Sequence, residues 1–320
     1  MRIFKEQRAN KYYRAGKLIN TIAVFWRNWL LQRHRWVPSI SLFPILYLLG
    51  WLVASPLFLF PNSFDSNDIA LLGTIFTFIF FLLSLPSWLK VRWRVENACL
   101  FLGIHGLRRL FFLKYLIRGL IFALCLIVFI LAPLLLSSWG EWKVDIQFLD
   151  ILNSIALGFL VGFAEELIFR GWLWGEVNFL FRSSLGFVIQ AMVFSFVHVV
   201  GIIKSDLGFL ELIPLLTGLF LLGLILALRR VLDKGSLGGC IGLHGGLVGL
   251  WFFVNADLID ISYDTPTWLI GPGGSSPNPI GSIPGVLFLA LILFFYRKAF
   301  AIAGFPFNGE RNASSKGAIP

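Results

Sequence analysis

Charged residues are scarce in this sequence: Asp, Glu, Lys and Arg together make up 14% of its 320 residues. A soluble domain usually carries about 25% charged residues. Apolar residues account for 58%, and the 34 Phe and 12 Trp provide more apolar surface than one aqueous core could bury. This composition excludes a soluble enzyme, a disordered tail and a fibrous protein, and it favours a chain that folds in lipid.

Cysteine is also rare, and its spacing excludes two kinds of cross-linked structure. Cys99, Cys125 and Cys240 have no CxxC spacing and lie in or next to apolar runs. The sequence therefore predicts neither a disulfide framework nor a zinc ribbon. Residues 1–20 are too charged to contain the apolar stretch of a cleaved signal peptide, so we expect no such leader.

Apolar stretches long enough to cross a membrane occur eight times. A spanning helix needs about 20 mostly apolar residues, because unpaired backbone groups are not tolerated in hydrocarbon. The stretches are roughly 39–60, 69–89, 119–136, 151–169, 185–203, 209–228, 237–254 and 280–299. We therefore predict an all-α polytopic membrane protein, a bundle of about eight transmembrane helices.

The basic residues indicate how these spans are oriented. Of the 27 Lys and Arg, all but Lys143 and Lys204 fall on alternate connecting segments and so on one side of the membrane. By the positive-inside rule that side is the cytoplasm, with both termini inside. We expect the net charge of +10 to meet anionic lipid headgroups and not nucleic acid. The pattern predicts a multi-pass protein of a bacterial-type plasma membrane.

The span pattern divides the chain into four regions. They are a basic cytoplasmic segment (1–38), the first three spans (39–136), a core with the next four spans (150–255), and a Gly- and Pro-rich outer loop with the last span and a cytoplasmic tail (256–320).

Apolar residues recur at helical spacing within the first region: Leu18, Ile22, Phe25 and Trp29. This spacing predicts an amphipathic helix that lies in the membrane interface. An ordinary juxtamembrane basic segment is the alternative.

The fourth span ends with three ionisable residues, Glu165, Glu166 and Arg170. A charge near the bilayer centre costs about 3 kcal/mol or more, so each one needs an explanation. Glu166 and Arg170 are four residues apart with the acid first, which is the favourable order for a helical ion pair. Glu165 is rotated by about 100° from Glu166 and has no such partner. We predict that Glu166 is paired and that Glu165 is available as a general base or acid, unless both acids are interfacial anchors.

Two histidines lie in other spans, His198 in the fifth and His244 in the seventh. A single histidine on an apolar helix is more often a packing residue with one hydrogen bond. One available carboxylate and two imidazoles on three helices can, however, activate a water molecule, either directly or through a bound metal.

Glycines in these spans favour close helix packing. His244 stands among glycines at 238, 242, 245, 246 and 249, and Gly158 and Gly162 precede Glu165. Small residues at this spacing let two helices approach backbone to backbone.

At these residues the sequence resembles the CPBP family of intramembrane proteases, which includes the CAAX prenyl endopeptidase of eukaryotes and bacterial bacteriocin-processing and self-immunity proteins. The family's three motifs are EExxxR, FxxxH and HxxxN or HxxxD. Here 165-EELIFR-170 and 194-FSFVH-198 match the first two. The third is 244-HGGLV-248, in which Val248 replaces the Asn or Asp. The resemblance covers about residues 150–255.

The resemblance implies an endopeptidase that hydrolyses a peptide bond of a membrane-embedded or lipid-anchored peptide. Glu165 and His198 would position and activate the attacking water, and His244 would stabilise the oxyanion. Glu166 and Arg170 would brace the site. The three residues Glu165, His198 and His244 could also be ligands of Zn²⁺, so a metallo and a glutamate-dependent mechanism both stay open.

Val248 is the departure from the family pattern. An aliphatic side chain cannot donate to an oxyanion, and the loss of one such donor typically lowers the rate about a hundredfold or more. Gln190, Ser195 or a backbone amide near a glycine would have to replace it. Val248 therefore favours the alternative function, a non-catalytic membrane interaction or immunity protein that retains the family scaffold.

The predicted boundaries place two site residues at different depths. Glu165 lies near the cytoplasmic end of its span, whereas His198 is about 13 residues into a span that begins on that side. Straight helices would separate them by over about 10 Å in depth. Residues 171–184 would have to enter the membrane, the fifth span would have to begin later, or the helices would have to tilt.

Overall fold

A computed structural model describes residue 17 and residues 20–60, 62–104, 109–143, 146–181, 185–202, 208–273 and 277–297. The described chain is almost entirely helical, which confirms the predicted all-α membrane architecture. It forms two compact units, Met1–Ala98 and Cys99–Pro320.

The described residues of the first unit form three helices and two short turns. They are α1 (20–30), α2 (Trp36–Ala54) with a 3₁₀ turn at Ser55–Leu59, and α3 (Ser66–Ser87) with a π-helical turn at Trp88–Arg92. A capping box starts α3, because Asp65 and Asp68 each accept a hydrogen bond from the other's backbone amide. Arg92 donates to the Leu30 carbonyl at 3.0 Å and to Ser39 Oγ at 3.1 Å, which fastens the end of α3 to the preceding helices.

The predicted N-terminal helix is present as α1. Its buried face contains Leu30, with Trp26 and Trp29 half-buried, whereas Ile22 and Phe25 are exposed. Leu18 lies outside the described residues, and the interfacial position of the helix stays a prediction.

The second unit contains the remaining helices: α4 (Ala98–Phe101), α5 (Arg109–Leu136), α6 (Phe148–Glu166), α7 (Trp174–Phe181), α8 (Gly186–Ile202), α9 (Phe209–Leu232), α10 (Gly238–Phe253), α11 (Thr267–Ile270) and α12 (Ile283–Phe295). Irregular turns are π-helical at Leu167–Leu173 and Val254–Leu258 and 3₁₀ at Pro279–Gly281. An antiparallel ribbon that the sequence did not predict pairs β1 (Gly140–Trp142) with β2 (Ile259–Ile261).

Helix α10 packs closely against two neighbours, as its glycine spacing predicts. A Cβ added at Gly242 would collide with the Leu116 carbonyl of α5, and one added at Gly245 would collide with the Gly158 carbonyl of α6. A Cβ on Gly162 would lie 2.7 Å from the Cα of Gly245. The backbones of α5, α10 and α6 can therefore approach only because these positions lack side chains.

Six helices of the described chain are long and apolar enough to cross a membrane: Trp36–Leu59, Ser66–Arg92, Leu110–Leu136, Phe148–Phe181, Leu210–Leu232 and Gly238–Leu258. The predicted fifth and eighth spans correspond to shorter apolar helices, Gly186–His198 and Ile283–Phe295. All eight predicted stretches are thus apolar helices, and the count of eight crossings stays a prediction.

The helix that contains the predicted fourth span continues beyond the predicted end of that span at residue 169. Helix α6 continues through the π-helical turn Leu167–Leu173 into α7, so that one helical segment runs from Phe148 to Phe181. Glu165 is about 16 residues before the end of that segment, and His198 is 12 residues after the start of α8. At about 1.5 Å per residue the two lie at similar distances from the α7–α8 connection, which removes the mismatch in depth.

Candidate active site

Glu166 is the most enclosed acid of the site. Its side chain is 0% exposed, and Arg170 Nη1 donates to its Oε1 atom at 2.9 Å, which is the ion pair that the spacing predicts. His244 Nδ1 also lies 2.8 Å from Oε1. This second partner, from α10, was not predicted. Glu166 therefore links the π-helical turn after α6 to α10 by two charge-assisted contacts.

Glu165, its neighbour, points to a different environment. Its side chain is 30% exposed, and its Oε2 atom lies 3.5 Å from His198 Nε2 and 3.8 Å from His244 Nε2. His198 is 27% exposed, whereas His244 is buried. Among the described residues Oε2 has no hydrogen-bond partner. The structure thus brings together the three residues that the sequence singled out on α6, α8 and α10.

The partners of the two Nδ1 atoms show where one proton of each imidazole lies. His198 Nδ1 lies 2.7 Å from the Phe194 carbonyl oxygen, and a carbonyl can only accept, so Nδ1 donates. Glu166 Oε1, which accepts from Arg170 Nη1, likewise accepts from His244 Nδ1. In both rings Nδ1 therefore carries a proton, and both Nε2 atoms face Glu165.

Phe194 packs at the centre of this cluster. Its ring centroid lies 4.6 Å from that of His198 and 5.6 Å from that of His244. The guanidinium carbon of Arg170 lies 4.3 Å from the same centroid, within the range of a cation–π contact. The first residue of the FxxxH motif thus holds both imidazoles and the arginine in place by packing.

The residues suggested as substitutes for the missing oxyanion donor are already engaged. Gln190 Nε2 donates to the Phe187 carbonyl at 3.0 Å and to the Gly223 carbonyl at 3.2 Å. Ser195 Oγ donates to the Leu216 carbonyl at 2.8 Å. An amide nitrogen has two hydrogens and a hydroxyl has one, so neither side chain has a donor left. Val248 is half-buried one turn beyond His244 and offers none.

The predicted Zn²⁺ site is only partly supported by the residues present. One carboxylate and two imidazoles are ligands that zinc accepts. In the described parts of the chain, however, no group of three or more His, Cys, Asp or Glu has an arrangement that could hold a metal ion. Zn²⁺ therefore stays a prediction.

The fold and the cluster define a class of protein: a polytopic membrane protein with a carboxylate–imidazole site inside its helical bundle. Residues 147–250 match the family described as Type II CAAX prenyl endopeptidase Rce1-like. This match confirms the resemblance to the CPBP family of intramembrane proteases that was inferred from the three motifs, over residues 147–250 of the chain. Residues 16–97 match a family described as a domain of unknown function (DUF8676). No curated protein and no solved structure matches the chain.

Proposed function

We propose that this protein is an intramembrane endopeptidase that hydrolyses a peptide bond of a membrane-embedded or lipid-anchored peptide. The observation that carries the proposal is the position of Glu165, whose Oε2 atom faces the Nε2 atoms of both His198 and His244. Membership of residues 147–250 in a protease family supports peptide hydrolysis in general. The roles of the individual residues and the substrate class are our inference.

Glu165 and His198 activate the attacking water molecule. Both side chains are partly exposed, although the Oε2 atom of Glu165 is itself buried, so we infer that water enters beside this pair. Glu166 is fully enclosed and already bound to two donor groups. Glu165 accepts a proton from the water molecule. The Nε2 lone pair of neutral His198 accepts a second hydrogen bond and orients the oxygen towards the substrate carbonyl carbon.

His244 is the residue that stabilises the oxyanion. Two carboxylates and one guanidinium leave the cluster one positive charge short of neutrality, and an unbalanced charge is unfavourable in this buried setting. His244 lies between both carboxylates, so it is the imidazole best placed to carry that charge. Its Nε2–H then donates to the developing oxyanion, which supplies the electrostatic stabilisation that Val248 cannot give.

Collapse of the tetrahedral intermediate completes the reaction. The new bond joins the water oxygen to the carbonyl carbon, and the bond between that carbon and the amide nitrogen breaks. Glu165 returns the proton it accepted to the departing amine, which balances the step and regenerates the carboxylate.

The test is a census of peptide N- and C-termini in host membranes. Termini produced by the wild type should vanish in strains that carry Glu165→Gln or His198→Ala, because each change removes a group that contacts the attacking water. Glu141→Gln, an exposed glutamate on β1, is the matched control and should leave the termini unchanged.

Identical termini in the wild type and in both variants would contradict the proposal. That result would favour the alternative suggested by Val248, a non-catalytic membrane interaction or immunity protein on the same scaffold. Cleavage of an identified substrate, measured with and without a chelator, decides separately whether the reaction depends on a metal ion.

A further inference from the structure

Helix α8 presents a second polar residue on the face that carries Phe194 and His198. Gln190 is four residues before Phe194 and eight before His198, so all three share one face of the helix. Phe194 contacts both imidazoles, and His198 faces Glu165. Gln190 lies outside the three family motifs, yet its side chain is 0% exposed.

The Gln190 amide shares its acceptor with the arginine of the site. Gln190 Nε2 and Arg170 Nη2 both donate to the carbonyl oxygen of Gly223 on α9, each at 3.2 Å. Arg170 in turn binds Glu166, which accepts from His244. One carbonyl therefore joins the helix that carries His198 to the network that holds the other imidazole.

Stability alone does not account for an amide at this position. Gln190 Oε1 is buried and has no hydrogen-bond partner in the part of the chain that the structure describes. A buried acceptor without a partner is unfavourable, and an apolar side chain of the same length would fill the space without that penalty. The two donated hydrogen bonds are what an apolar side chain would lose.

We propose that Gln190 is a positioning residue of the peptidase site, a proposal that rests on the function proposed above. By donating to the Gly223 carbonyl, it fixes α8 against the same point that anchors Arg170. This contact sets the register of His198 and Phe194 relative to Glu165, Glu166 and Arg170. The functional face of α8 thus begins one turn before the FxxxH motif.

The test compares Gln190→Met with Ser195→Ala in purified, reconstituted protein, with the peptide identified by the terminus census as substrate. Methionine matches glutamine in length and removes the two donors. Ser195→Ala is the matched control, because Ser195 also joins α8 to an α9 carbonyl, at Leu216, without contacting Arg170. Melting temperature is measured for each variant.

We expect Gln190→Met to lower kcat about tenfold with KM and melting temperature close to the wild type, because a small displacement of reacting groups slows chemistry more than binding. Its pH–rate profile should also shift, since Arg170 and Glu166 set the charge next to His244. Ser195→Ala should keep the wild-type kcat and profile.

Three outcomes would overturn the proposal. A wild-type kcat and pH profile in Gln190→Met would show that the amide positions nothing. Equal losses of kcat in Gln190→Met and Ser195→Ala would show that Gln190 only packs α8 against α9. A wild type without peptidase activity would overturn the proposed function and this inference with it, and it differs visibly from the first two outcomes.

Discussion

At the scale of single residues, two adjacent glutamates occupy opposite environments. A rotation of about 100° along the helix turns Glu166 into the core, towards Arg170 and His244, and turns Glu165 towards the two Nε2 atoms. The acid inside the core has its charge compensated, and the other is reachable and faces imidazoles. Their difference in environment, not in chemistry, underlies the roles proposed for them.

Glu166→Ala should lower the free energy of unfolding by about 3 kcal/mol or more, because Arg170 would be left buried without its counter-charge. Glu165→Ala should change the free energy of unfolding far less, since Glu165 is partly exposed and its ion-pair contacts among the described residues are with histidines. Denaturant unfolding in detergent micelles measures both variants. Equal stabilities of the two variants would contradict the assignment of Glu166 as the structural acid.

At the scale of elements, the π-helical turn Leu167–Leu173 positions the site. It carries the chain past Arg170 without ending the helix, so that Glu165 lies within a 34-residue helical segment and not at its end. Such turns are rare and occur often at functional sites. The charged residues interrupt the apolar pattern here, but Glu166 and Arg170 pair inside the bundle, and the helix continues.

The glycine contacts of α10 provide a test at the same scale. Gly245→Ala should lower the free energy of unfolding by about 1–3 kcal/mol and reduce activity, because its Cβ would collide with the Gly158 carbonyl next to His244. Gly208→Ala is the control, since an added Cβ there has no atom of the described chain within 4 Å. Similar melting temperatures for the two variants in detergent would show that α6 and α10 do not need this close approach.

At the scale of the whole molecule, the asymmetry of charge predicts the orientation in the membrane. The segment 255–279 contains no Lys or Arg, whereas both termini and the segment between residues 90 and 118 are basic. By the positive-inside rule we expect the segment 255–279 outside, and both termini and the segment between residues 90 and 118 in the cytoplasm.

Cysteine labelling checks this orientation in a Cys125→Ser background. Tyr263→Cys introduces a thiol at a fully exposed position of the predicted outer segment, and the native Cys99 is exposed on the predicted inner one. A membrane-impermeant maleimide should label Tyr263→Cys in intact cells and Cys99 only after permeabilisation. The reverse pattern would invert the predicted topology.

The sequence by itself determined that the chain folds in a membrane, where its apolar helices lie, and which residues are candidates for the site. Composition and the length of each apolar run decide these features, because unpaired backbone groups and charged side chains are both energetically costly in hydrocarbon. The Glu166–Arg170 pair was predictable for the same kind of reason, since it lies within one helical turn.

Only the tertiary structure decided which side chains meet across helices. The contact of His244 Nδ1 with Glu166, and the carbonyl of Gly223 that Arg170 and Gln190 share, join residues from separate helices. No periodicity within one helix encodes such pairings. They depend on the angle and depth at which α6, α8, α9 and α10 pack, which the glycine contacts and the π-helical turn set.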